Sequence, residues 1–103
     1  YKMDKRELEN ILDELKIKIN TKGYKYWITA VEKKLKSKDM KIGTLYRELA
    51  KEFNSNYSRV ERALRSAYTH NIIMIQEYFS IDYGISNTVF LELLIREMER
   101  RKM

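Results

Sequence analysis

The chain has no cysteine, no proline and only three glycines among 103 residues. Without cysteine there is no disulfide, no thiol chemistry and no cysteine-ligated zinc, which fits a reducing compartment and makes the cytoplasm the expected location. Without proline and with so little glycine, helices run unbroken and connections stay short. No apolar run approaches the roughly 20 residues of a membrane span. The N-terminal end is charged where a secretory signal would be apolar. Because the first residue is Tyr1 rather than methionine, the chain is expected to be a trimmed part of a longer protein. Histidine occurs once, as His70. It lies near the end of a helix predicted below, where a capping or phosphate role is more natural than general base.

What is present points to helices. Leu, Ile, Lys, Glu and Arg dominate, and a hydrophobic share of 44% is enough to fold. The length allows one modest core and not two, so a single domain over residues 1–103 is expected. The net charge of +6 suits a polyanion, nucleic acid first and an acidic membrane surface second, but it also suits a slightly basic domain with no such partner.

Apolar spacing divides the chain into elements. Residues 4–19 carry a helical face at Leu8, Ile11, Leu12 and Leu15, with Asp4 placed to cap it and Glu7 three residues on. Ile17 and Ile19 alternate with lysines, which predicts an extended end and a turn over residues 20–23. A second helix over 24–36 carries Tyr24, Trp27, Ile28, Val31 and Leu35 on one stripe, with Trp27 as a core anchor rather than a base-stacking ring. Lys33, Lys34, Lys36 and Lys38 fit a solvated helix end better than a row of phosphate contacts. Thr44 is expected to cap a helix at about 45–53. A further helix over 58–70 ends at Asn71, a residue that tolerates left-handed backbone. Residues 72–79 read as a short buried helix, residues 81–87 as a loop, and residues 88–101 as a last helix burying Phe90, Leu91, Leu94, Ile95 and Met98. The expected class is therefore all-α, a compact bundle of about six helices.

Residues 45–67, LYRELAKEFNSNYSRVERALRSA, are the most informative stretch. They read as two short helices joined by a tight turn, the layout of a helix-turn-helix. Ala50 is small where the helices must cross, and Val60 and Leu64 project back onto the first helix. Asn54 stands where the turn needs a positive φ, the best substitute for glycine. Ser58 with Glu61 reads as a capping box. Arg59, Arg62, Arg65 and Ser66 then share the outward side at helical spacing. The arginine fork meets O6 and N7 of guanine together, a pairing worth about 1–3 kcal/mol of base discrimination. Glu61 fits either of two roles, accepting from a cytosine amino group or capping the helix. Tyr57 and Ser58 sit where a helix N-terminus approaches phosphate. An ordinary helical hairpin with a solvated basic face shares this pattern.

The same stretch resembles the effector domain of the master response regulator of sporulation initiation in endospore-forming bacteria, the stage 0 sporulation protein A family. SRVERA at residues 58–63 matches that family's recognition-helix signature, and TKGYKYWITAV at residues 21–31 matches the segment before its second helix. The likeness is good over about residues 8–70 and looser beyond. It implies a helical domain that binds double-stranded DNA at boxes such as TGTCGAA, often in tandem, and regulates transcription. By matched position Arg59, Glu61 and Arg62 would read bases, and Arg65 would hold phosphate with Tyr57, Ser58 and Ser66. Ser66 stands where the family often has histidine, which weakens that backbone contact. The family's phosphoacceptor receiver domain is not among these residues. Self-association on tandem sites and contact with RNA polymerase sigma factor are further implied partners.

The alternative is a helical protein-interaction module of the same fold, motivated by the Tyr and Ile residues of 72–83. An enzyme is not expected. The carboxylate pairs Asp13 with Glu14 and Glu97 with Glu99 lie beside basic residues and read as solvated ion-pair partners. No phosphate-cradling glycine loop or metal-ligand spacing is present, so no catalytic residue, cofactor or metal is expected. No helix pairs a broad apolar face with an all-basic one, so no membrane partner is expected.

Overall fold

The computed structural model describes residues 3–102. Helix α1 spans Lys5–Glu14, α2 Lys22–Lys36, α3 Ile42–Glu52, α4 Tyr57–Tyr68, α5 Ile72–Phe79 and α6 Asn87–Arg101. A single 3-10 turn, Thr69–Asn71, joins α4 to α5 with no loop between them. Counted by interruptions of the helical backbone there are therefore five helical runs among the described residues, not the expected six. Asn71 does not break the helix in the left-handed region, since its φ is −125°. Its side chain is used instead, donating to the carbonyls of Leu15 and Lys16 at 3.5 and 3.3 Å.

Side-chain caps set the starts of α1, α2, α4 and α6. Asp4 accepts from the Glu7 N–H at 3.2 Å, as the sequence predicts, and Ser86 accepts from the Val89 N–H at 3.2 Å. Thr21 accepts from the Tyr24 N–H at 3.4 Å, so α2 begins at Lys22 and Gly23 is helical rather than part of the preceding turn. The glycine is needed there for a different reason. A Cβ at Gly23 would lie 2.7 Å from the Ala67 Cβ and 2.8 Å from the Ala63 carbonyl oxygen, so only glycine lets α2 press against α4. Helix α3 starts at Ile42 with no side-chain cap, and Thr44 falls inside it. Beyond the end of α1 the chain turns at Lys16 with φ 62°, and the Ile17 N–H reaches back to the Leu12 carbonyl at 3.0 Å. Ile17 is thereby folded into the core while Ile19 points outward.

Trp27 sits at the centre. Its ring meets Phe90 edge-on at 4.8 Å and lies 6.2 Å from Tyr68, and its Nε1 donates to the Leu64 carbonyl at 3.0 Å. One side chain thus joins α2, α4 and α6, and the core-anchor expectation holds. Around it Leu8, Ile11, Leu12, Leu15, Val31, Leu45, Leu49, Val60, Leu64, Ile75, Leu94 and Met98 are all buried. Helix α5 is less buried than expected, with Ile75 enclosed but Ile73 73% exposed.

The far end of α6 is fastened by charge. Glu97 is not a solvated surface carboxylate as predicted but is 6% exposed. Arg101 Nε donates to Glu97 at 2.9 Å, Nη2 to Glu14 at 2.7 Å, and Nη1 to Glu7 at 3.4 Å, tying α6 to α1. Tyr78 of α5 donates its hydroxyl to Glu14 at 2.6 Å. Hydrogen bonds from Arg101 and Tyr78 hold the Glu14 carboxyl below its ordinary range, and those from Arg100 and Arg101 do the same for Glu97. Lys33 is likewise spent on structure, 2.9 Å from Glu52 and 3.6 Å from Glu48, while Lys34 donates to the Met40 carbonyl at 2.7 Å.

Candidate nucleic-acid interface

Helices α3 and α4 are joined by residues 53–56. Asn54 takes φ 51°, the left-handed position predicted for it, and the Ser55 N–H returns to the Ala50 carbonyl at 2.8 Å. The cap of α4 differs from expectation. Asn56, not Ser58, is the N-cap, its side chain accepting from the Arg59 N–H at 3.0 Å. Tyr57 and Ser58 therefore occupy the first two helical positions. Tyr57 is half-exposed, its ring edge-on to Tyr46 at 5.1 Å with the Arg47 guanidinium 5.8 Å from its centre.

The burial of α4 follows its apolar positions. Val60, Leu64 and Tyr68 are enclosed, Ala63 and Ala67 are partly covered, and Ser58, Arg59, Arg62, Arg65 and Ser66 are exposed. Arg59, Arg62 and Ser66 line a shallow groove of about 240 Å³ with Lys22, Tyr26 and Ser55. Among the described residues neither Arg59 nor Arg62 has a carboxylate partner, so both guanidinium groups keep their full donor sets for a ligand. Arg65 differs: its Nη1 lies 3.4 Å from Glu61. The Ser66 hydroxyl donates to the Arg62 carbonyl at 3.1 Å, which leaves its lone pairs outward.

Glu61 does not cap α4. It points toward the start of α6, where Asn87 Nδ2 donates to the Glu61 carbonyl at 3.2 Å with the carboxylate at 3.5 Å. Asn87 is itself buried, donating to the Tyr46 hydroxyl at 2.9 Å and accepting from the Tyr68 hydroxyl at 2.8 Å. Burial pushes the Tyr68 hydroxyl up to about 12 and raises that of Tyr46, so both stay protonated. This network, neutral but for the Glu61 carboxylate, fixes α4 against α3 and α6. Sequence reasoning missed it, because its members lie as far as 41 residues apart and no local pattern links them.

A second, larger cleft of about 570 Å³ continues along the same flank of α4, sharing Lys22, Ala63 and Ser66 with the groove, and brings Lys16, Lys18 and His70 beside it. Sequence reading assigned these lysines no role. Among the described residues no group of three or more His, Cys, Asp or Glu is placed to hold a metal, and no helix is long and apolar enough to cross a membrane.

The family model described as sporulation initiation factor Spo0A C terminal matches residues 8–95 of the chain. The match covers α2 to α5 completely and runs well into α6, beyond residue 70 where the resemblance by motif thins. No curated protein matches the chain.

Proposed function

This chain belongs to the sporulation initiation factor Spo0A C-terminal family, and from that membership we propose that it binds double-stranded DNA in a sequence-specific way as the effector part of a sporulation transcription regulator. The α3–α4 pair acts as the helix-turn-helix, with α4 entering the major groove. The observation that carries this reading is the outer face of α4, where Arg59 and Arg62 stand exposed without carboxylate partners on a helix held rigidly from behind.

In this reading Arg59, Glu61 and Arg62 contact base edges, and Tyr57, Ser58, Arg65 and Ser66 contact the sugar-phosphate backbone. Glu61 reaches a base by releasing Arg65, and the release frees that guanidinium for a phosphate. The half-exposed pair is worth at most about 1 kcal/mol and is no barrier to the exchange. Because Asn87 holds the Glu61 main-chain carbonyl, α4 stays seated while the side chain swings. Self-association on tandem boxes and contact with a sigma factor belong to the same proposal.

The test is selection from a random duplex pool. Enrichment of one box, TGTCGAA or close to it, supports the reading. A pool with no enrichment overturns it in favour of a protein-interaction module, which the 73% exposure of Ile73 and 46% exposure of Tyr83 would then suit.

A further inference from the structure

We propose that the cleft between the α1–α2 connection and α4 is a second anion site, which grips DNA backbone phosphates beside the box read by α4. The inference rests on the DNA reading above and adds to it residues that the recognition-helix motif does not include.

Three features carry it. The cleft of about 570 Å³ is lined by the cations Lys16, Lys18 and Lys22 together with Ser66, His70 and Asn71, and no carboxylate lines it. None of the three lysines has an ion pair among the described residues, whereas Lys33 and Arg101 are each engaged by at least two carboxylates. In addition, Lys22 lines both this cleft and the groove holding Arg59 and Arg62, so the two form one positive surface across the outer face of α4.

The connection is also held in place. Asn71 donates to the Lys16 carbonyl at 3.3 Å, and the Thr21 hydroxyl donates to the Lys18 carbonyl at 2.7 Å. Gly23 seats the start of α2 on Ala63 and Ala67 of α4. The lysine-bearing backbone is therefore docked on the recognition helix, and a duplex aligned on that helix meets lysines whose main chain is fixed. Lys16 sits at φ 62°, a position glycine would fill with less strain. A lysine there supplies charge at the expense of backbone comfort.

The experiment titrates the full chain and its Lys16→Gly, Lys18→Gln and Lys22→Gln variants, singly and combined. The probes are one duplex containing TGTCGAA and one of the same bases scrambled, each over a range of salt. Each single change should weaken both duplexes about 8-fold near ~0.1 M salt and flatten the log–log salt slope by about 0.9, the value of one lost phosphate contact. The preference for the box should not move. Lys16→Gly should melt at or above the temperature of the parent, which separates lost binding from lost folding. Arg62→Ala is the control that loses box preference. If the triple variant keeps parental affinity and slope while Arg62→Ala loses preference, DNA binding stands and the cleft proposal fails. If the parent binds neither duplex, the DNA reading fails and takes this site with it. If inorganic phosphate raises the melting temperature of the parent while the triple variant binds duplex normally, the cleft is a free-anion site and the proposal is overturned.

Discussion

Arg62 and Arg101 are the same side chain put to opposite uses. Arg101 is 20% exposed and engages Glu97, Glu14 and Glu7 together, so its fork is spent within the molecule. Arg62 stands exposed on α4 with no carboxylate partner among the described residues. Lysines divide in the same way, Lys33 between two carboxylates and Lys22 paired with none among the described residues. A net charge of +6 therefore says less than its placement does. Cations on the far ends of α2 and α6 hold the fold, whereas around α4 Arg59, Arg62, Lys16, Lys18 and Lys22 have no carboxylate partner among the described residues and only Arg65 is paired, with Glu61.

Breaking the saturated arginine should have the largest effect. Arg101→Ala strands the buried Glu97 with Arg100 alone and should lower unfolding free energy by about 2–3 kcal/mol in denaturant titration. The folded fraction should bind duplex as the parent does. Arg62→Ala reverses the pattern. Stability should stay within about 0.5 kcal/mol, and discrimination between box and scrambled duplex should fall by about 1–3 kcal/mol in competition binding. If Arg62→Ala also unfolds the chain, the division between the two regions does not hold.

Acid sharpens the contrast. The folded pKa values of Glu14 and Glu97 are depressed. Their stabilisation is therefore present above the ordinary carboxylate range and lost as pH falls through the depressed values. Melting temperature should decline on acidification, and Arg101→Ala should flatten that decline. The smallest effect is expected at the turn. Asn54→Gly should change stability by no more than about 0.5 kcal/mol, because asparagine already tolerates φ 51°. Thermal melts should show near identity with the parent.

Much of the helical framework was legible because it depends on local spacing. Leu8, Ile11, Leu12 and Leu15, the Trp27 stripe, and Asn54 in the turn all follow from periodicity and backbone preference. What failed to show depends on contacts distant in sequence. Ser58 and Glu61 have the letters of a capping box. Asn56 lies two residues earlier and caps equally well, while Glu61 is drawn to Asn87 and Arg65. Gly23 looks like a turn residue until Ala67 is seen 2.7 Å from where its Cβ would be. Glu97 looks solvated until Arg101 is seen reaching from it to Glu7 and Glu14 of α1. The outward arginines of the candidate site were visible from helical spacing, but the lysine cleft was not, because it forms only when the α1–α2 connection folds onto α4.

Helix α6 behaves like a beam clamped by two unlike joints. At its first residue the shorter bonds of Asn87 go to neutral hydroxyls and a carbonyl, groups that neither added salt nor a pH between the carboxylate and tyrosine ranges disturbs, with the Glu61 carboxylate farther off at 3.5 Å. At its other end Arg101 is held by carboxylates, which acid titrates and which salt screens where they are exposed. Solution conditions therefore loosen the joint away from α4 first. The support directly beneath α4 outlasts them, so the outer face of α4 keeps its shape while the far end of α6 loosens.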